Sequence, residues 1–286
     1  LSHIIATLVA PQGLTPGDIS AACDAVGGMA GPVRDGVAVQ IACDDVDAKA
    51  ALEAAVPGAD VIVRPVGAPL PRLLIADMDS TMITCECIDE LADYAGIKPE
   101  IAAITERAMA GELDFAAALA ERVALLAGLS EKVIEQCLAE RVRPTPGAAT
   151  LVQTLRARGT RTVLVSGGFT RFAEPVAAMI GFDRAVANVL EIQGGVLTGR
   201  VLPPIVDSAV KRATLEAECA EFQISPADVL AIGDGANDVP MLRTAGLGVA
   251  YRGHAAAVAA AEASIRHGDL TTLLYAMGIA KADWVA

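Results

Sequence analysis

Two aspartates, Asp77 and Asp79, close an apolar run that reads "LLIADMDST" from residue 73. In an extended chain, residues two apart point to the same side, so both carboxylates can enter one pocket. At about 4 Å apart, two unscreened carboxylates repel by roughly 1 kcal/mol even in bulk water, and by more in a pocket. Such a pair needs a cation beside it or a proton on one member. A second acidic stretch, "AIGDGAND", puts Asp234 and Asp238 behind another apolar run, with no histidine or cysteine nearby. Carboxylates without softer ligands make an oxygen-only site, which suits hard Mg2+ better than zinc. A third stretch, "VLVSGGFTRF", places Ser166, Gly167 and Gly168 between a strand and a helix. Glycines there let backbone amides approach an oxyanion, the helix start favours negative charge, and Ser166 adds a hydroxyl donor. A phosphate could then be held by donors on one side and a divalent cation on the other.

Each stretch alone has a plainer reading. A lone Asp-x-Asp is usually a turn or helix cap, "GDGAND" a tight turn and "SGG" a strand-to-helix turn. Their joint placement outweighs this, because all three fall where one sheet presents its carboxyl edge, the ligand-binding edge of open α/β folds.

The elements that must position them are legible around the motifs. "RLLIAD", "RTVLVS" and "DVLAIGD" are short and apolar and end in polar or glycine-rich turns, the pattern of parallel strands covered by helices on both faces. The connection between the first two is too long for one helix and is nearly all helical in period, so residues 87–144 are expected to form a helical cap. "LEIQGGVLTGRV" predicts a hairpin. Before the Pro- and Gly-broken "VGAPLPR" at 66–72, strands and helices alternate as β-α-(β)-β-α-β, with a weak strand near "GGMAGPVRD". The expected fold class is α/β: a doubly wound, mostly parallel sheet with a cap, preceded by an α+β ferredoxin-like module. Its boundaries are 1–70 for the module and 71–286 for the second domain, with the core at 71–86 and 145–286 and the cap at 87–144.

Composition narrows the classes. With 53% hydrophobic and 20% charged residues among 286, the chain is globular rather than disordered. A net charge of −13 repels phosphate backbones and anionic lipid heads, so neither nucleic acid nor membrane is an expected partner. "LSHIIATLVAPQG" reads as a first strand and not as a leader peptide. Six scattered cysteines suit free thiols in a reducing cytoplasm, and Cys85 and Cys87 lack the partners of a zinc site.

The three motifs resemble the haloacid dehalogenase superfamily, "DMDST" matching its nucleophile motif, "VLVSGG" its serine motif and "GDGAND" its acidic loop. "DMDSTMITCECIDELA" and "AMAGELDFAAALAERVALLAG" narrow the resemblance, which runs from about residue 73 to 270, to the phosphoserine phosphatases within it. It implies hydrolysis of O-phospho-L-serine, the last step of serine biosynthesis. Asp77 would be the nucleophile that becomes an aspartyl-phosphate, and Asp79 the acid and later the base. Mg2+ would be held by Asp77, the main-chain carbonyl of Asp79, and Asp234, with Asp238 supporting through water. Ser166, Gly167, Gly168 and Lys211 would grip the phosphate with Asn237 beside it. Glu86 would meet the substrate ammonium and Arg122 its carboxylate, with Met109 and Phe115 lining the pocket. An acid at position 79 sets the chain apart from the dehalogenase and ion-pump branches.

Several of these roles come from the resemblance alone. A lysine in "VDSAVKRATL" reads as a solvated helix residue, Arg122 as a surface partner of Glu121 or Asp114, and Met109 and Phe115 as core. One departure is local: the family's Lys–Pro pair is absent at His254–Ala255. The N-terminal order resembles an ACT domain, which implies an amino-acid effector and a homodimer. The within-class alternative is a phosphatase for another small phosphomonoester, such as homoserine phosphate or a sugar phosphate. A phosphorylatable receiver is the rival from another class, and the cap argues against it.

Overall fold

The structure, a computed structural model, describes residues 3–44, 47–109 and 112–285. Its N-terminal part is a four-stranded antiparallel sheet of β1 (Ile4–Val9), β2 (Met29–Ala30), β3 (Ala38–Cys43) and β4 (Asp60–Pro65), ordered β2-β3-β1-β4. Helices α1 (Pro16–Val26) and α2 (Ala48–Ala55) cover one face. The Thr15 hydroxyl accepts from the Asp18 amide at 3.1 Å, and the Asp18 carboxylate accepts from the Thr15 amide at 2.8 Å. This reciprocal box starts α1, and Gly27 at φ 58° ends it. The weak strand expected near "GGMAGPVRD" is β2, two residues long.

Strand alternation decides what lies on the other face. Ala6, Leu8, Val39, Ile41 and Val61 point to the two helices. Val9 and Ala38 meet Tyr275, and Ile62 joins the larger core, so the second face rests on the rest of the chain rather than on water. Asp60, 2% exposed, closes this contact. Its carboxylate accepts from the amides of Arg266 (2.7 Å), His267 (3.0 Å) and Gly268 (2.7 Å). Asp60→Ala strands three donors, each worth about 1–3 kcal/mol when left unsatisfied in a buried site. We expect urea unfolding to show a loss of about 3–5 kcal/mol, with turnover per folded molecule retained, since the latch lies away from the carboxylates at 77 and 79.

The second sheet contains β5 (Leu73–Ala76), β6 (Arg161–Phe169), β7 (Arg184–Gln193), β8 (Val196–Leu202), β9 (Val229–Gly233), β10 (Leu247–Tyr251) and β11 (Ala263–Ile265). Their order is β11-β10-β9-β5-β6-β7-β8, parallel throughout except for the β7–β8 hairpin. Between β5 and β6 lie four cap helices: α3 (Cys87–Ala95), α4 (Lys98–Met109), α5 (Phe115–Ala124) and α6 (Lys132–Glu140). Helices α7 (Ala148–Arg156), α8 (Thr170–Ile180), α9 (Ser208–Phe222), α10 (Val239–Thr244), α11 (Ala255–Ala260) and α12 (Thr272–Ala276) complete the chain. Every residue of β5 is fully buried, as a strand covered on both faces must be. Leu74 and Ala76 pack with α7, α8 and α12, whereas Leu73 and Ile75 pack with α9, α10 and α11.

Because β5 lies between β6 and β9 and the chain moves outward on either side, a crevice opens at the carboxyl end of β5. The cap closes over it. Ile83 and Pro144 bridge at its neck, and the Gly128 and Glu131 amides donate to Leu197 and Gly195 on the hairpin at 2.8 and 3.0 Å. Among the described residues, no helix is long and apolar enough to cross a membrane.

Candidate active site

Asp77 directly follows β5, and its amide donates to the Ile232 carbonyl of β9 at 2.9 Å. Beyond it the chain folds back, the Met78 carbonyl accepting from the amides of Thr81, Met82 and Ile83. Met78 is buried in the core while Asp77 and Asp79 line the opposite side, so the two-residue alternation survives past the strand end. Ser80 takes the left-handed conformation at φ 54°, a backbone state uncommon outside glycine and concentrated at functional turns. From there its hydroxyl donates to Glu86 at 2.5 Å. The amide of Cys87, first residue of α3, donates to Asp79 at 3.2 Å and ties the cap's first helix to this carboxylate.

The acidic loop meets them from β9. Thr81 donates its hydroxyl to Asp234 at 2.9 Å. Asp238 accepts from the amides of Asp234 (3.1 Å) and Gly235 (3.0 Å), which folds the loop onto itself. A Cβ at Gly233 would lie 2.4 Å from the Asp238 carboxyl carbon, so the close return requires glycine. One oxygen each from Asp77, Asp234 and Asp238 fall within 4.8 Å of one another. Lys211, fully buried rather than solvated, places its ammonium 2.6 Å from Asp77 and 2.7 Å from Asp238.

Three carboxylates against one ammonium leave the cluster short of positive charge, and the acidities follow. Burial, then the charge of Asp238, raises Asp77 well above the usual carboxylate range, with Lys211 pulling the other way. Asp234 is pushed up to about 6 by burial and Asp238. Burial and the facing Glu86 push Asp79 up to about 7, against the Cys87 hydrogen bond. Burial lowers Lys211, but Asp77 and Asp238 outweigh it and the ammonium is held protonated. An all-oxygen set with unbalanced negative charge is chemically fitted to a hard divalent cation.

Above these groups lies a cavity of about 710 Å³. Asp77, Asp79, Asp234, Asn237, Ser166, Gly167 and Gly168 line its floor, with Glu86, Phe115 and Arg122 on the cap side. Arg122 is not the surface partner of Glu121 that the sequence reading offers; Glu121 pairs with Arg107 at 2.8 Å. Instead its Nε donates to the Ala118 carbonyl at 3.3 Å, and burial pulls its pKa below the usual guanidinium value while Asp89 and Glu86 partly offset this. Phe115 reaches across to the Ser166–Gly168 segment, where a Cβ on Gly167 would meet its ring at 3.0 Å. The Met109 side chain lies outside the described residues.

Ser166, Gly167 and Gly168 are not the strand-to-helix turn that the sequence suggests. They form a bulge inside β6, whose register with β7 shifts between Val165 and Phe169, and α8 begins only at Thr170. The Ser166 hydroxyl accepts from the Gly168 amide at 2.9 Å. Sequence reasoning also passed over Ser80, the Cys87 amide and Asn188, which ties down this bulge; an asparagine inside a strand was the available signal.

Residues 74–243 match the model of the haloacid dehalogenase-like hydrolases. The chain belongs to this family. Within the family it is 48% identical over 208 residues to a phosphoserine phosphatase of Albidiferax ferrireducens, a match covering 71% of this chain and 88% of the relative. It is 45% identical over 212 residues to phosphoserine phosphatase SerB2 of Mycobacterium tuberculosis, covering 74% of this chain and 52% of that longer protein. A solved structure of a probable phosphoserine phosphatase from Vibrio cholerae superposes with a TM-score of 0.81 at 31% identity, covering 99% of this chain and 88% of that one. That coverage takes in the N-terminal sheet as well as the hydrolase body.

Proposed function

We propose that this hydrolase cleaves O-phospho-L-serine to L-serine and phosphate with the help of Mg2+. The observation that carries the reading is a single cavity with Asp77 and Asp79 on its floor and the opposite charges of Glu86 and Arg122 on its cap side. A substrate with a phosphate, an ammonium and a carboxylate uses all of them, and an ester lacking either amino-acid group leaves Glu86 or Arg122 unmatched. The names of the relatives point the same way.

In this reading Asp77 attacks phosphorus, forming an aspartyl-phosphate as the bond from phosphorus to the serine oxygen breaks. Asp79, raised to about 7, gives its proton to the leaving oxygen and then takes one from the water that attacks the aspartyl-phosphate. Lys211 and the bulge amides face the charge on the phosphoryl oxygens. In this reading Asp77, the Asp79 carbonyl and Asp234 would hold Mg2+; Asp77 and Asp234 belong to the carboxylate cluster, and its third member, Asp238, would anchor the loop. When bound, the cation supplies charge neutralisation at the phosphoryl group. The Cys87 amide and the cap helices orient Asp79 and limit the access of bulk water.

We place the enzyme in serine biosynthesis in the cytoplasm, a setting that the free thiols of Cys23, Cys85, Cys87, Cys137 and Cys219 favour. The N-terminal sheet is proposed as an ACT-like module for an amino-acid effector and homodimer contacts, on the strength of its β-α-β-β-α-β order. Phosphate release over a panel of phosphomonoesters, with and without Mg2+, tests the activity. Arg122→Ala sharpens it: losing a charge-assisted contact of about 2–3 kcal/mol should raise KM for phosphoserine about 30–150-fold. The KM for p-nitrophenyl phosphate should move less than about threefold. Equal shifts for both esters would remove the amino-acid reading.

A further inference from the structure

We propose that Asn188 is a positioning residue that builds the phosphate-binding floor from below. Asn188 is fully buried on β7 and does not line the cavity. It sits opposite the β6 bulge: Val165 pairs with Val186 and Phe169 with Asn188, so the bulged strand carries two more residues than its partner over this interval. A bulge of that size removes backbone groups from the ladder and leaves them in need of other partners. The Asn188 amide nitrogen donates to the Gly167 carbonyl at 2.8 Å. Its oxygen accepts from the Val206 amide at 2.7 Å, and the nitrogen also lies 3.4 Å from the Val206 carbonyl.

Val206 belongs to the segment that launches α9. Asp207 caps that helix, Ser208 lines the cavity, and Lys211 one turn later reaches Asp77 and Asp238. One side-chain amide therefore staples the two segments that carry donors to the phosphate, the glycine bulge and the lysine helix. An amide fits, because the site needs a donor toward Gly167 and an acceptor toward Val206 at once. The inference rests on the phosphatase reading of this site, but not on phosphoserine being the ester.

Two variants test it. Asn188→Ala removes both contacts, and Asn188→Asp keeps size and the acceptor for Val206 while turning an oxygen toward the Gly167 carbonyl. A floor misplaced by an ångström costs about 10²-fold, so kcat should fall about 100-fold in both variants, on whichever ester the wild type turns over best. The dissociation constant of inorganic phosphate, titrated by calorimetry with Mg2+ present, should rise about tenfold or more, while that of L-serine holds within about twofold. If wild type ignores phosphoserine, the serine arm falls with the substrate reading, and the phosphate arm still decides the role of Asn188. A drop in melting temperature with kcat and phosphate affinity near wild type would make Asn188 a packing residue and overturn the proposal. Asn188→Asp covers the case in which Asn188→Ala fails to fold; an aspartate variant with normal phosphate affinity overturns it equally.

Discussion

Asp77→Asn is expected to abolish turnover, with kcat lower by about 10⁴-fold or more, while the protein becomes more stable in the presence of a chelator. The first half follows from chemistry. An amide is nearly isosteric with the carboxylate but does not form the acyl-phosphate, and Asp79, tied to the Cys87 amide, is in the proposed reading the proton donor rather than the attacking group. The second half follows from electrostatics. The native pKa of Asp77 is raised by burial and by Asp238, so its ionised form is disfavoured relative to the unfolded chain. The sign is fixed by linkage: a carboxyl with a raised folded pKa costs stability once pH exceeds its unfolded value, and near pH 7 the asparagine escapes that cost. Lys211 keeps Asp238 as its counter-ion. Catalytic sites that hold uncompensated charge commonly show this opposition of activity and stability. Phosphate release and urea unfolding in EDTA measure the two halves. Turnover within tenfold of wild type would exclude Asp77 as the nucleophile.

Much of this site was legible because its chemistry sits in short contiguous stretches. Asp77 and Asp79 share one motif, and Asp234, Asn237 and Asp238 another, each behind an apolar strand whose end predicts where it lies. The cap was legible through its helical period and its excess length, and the hairpin through Gly194–Gly195. What escaped local reading depends on contacts across the chain. Lys211 has the neighbourhood of a surface lysine, and only the packing of α9 beneath β5 buries it 134 residues away from Asp77. The bulge at Ser166–Gly168 is a mismatch between β6 and β7, and a mismatch belongs to neither strand alone. The Asp60 latch joins positions more than two hundred residues apart, and no spacing rule reaches it. Arg122 and Arg107 are interchangeable on composition; the cap's fold gives Glu121 to Arg107 and the cavity to Arg122.

Lys211→Met is the other large effect expected, and it separates a structural ion pair from a catalytic one. The buried ammonium lies between Asp77 and Asp238, so removing it leaves two carboxylates in a desolvated site with amides as the remaining compensation. Breaking a buried pair from one side typically costs about 3–5 kcal/mol, whereas replacing both partners by uncharged groups is often close to neutral. Stability should therefore fall by about 3–5 kcal/mol in Lys211→Met, and most of that loss should return in Lys211→Met combined with Asp77→Asn. Turnover should fall by about 10³-fold, the scale of losing one charged donor to the transferred phosphoryl group, and should not return in the double variant. Arginine is no substitute, since its planar fork is larger than the slot that a lysine with no exposed surface fills. If Lys211→Met kept both stability and kcat, the ammonium would be a bystander to the carboxylates it touches. Recovery of stability without recovery of turnover is the signature of a lysine that is first a counter-ion and then a phosphate ligand.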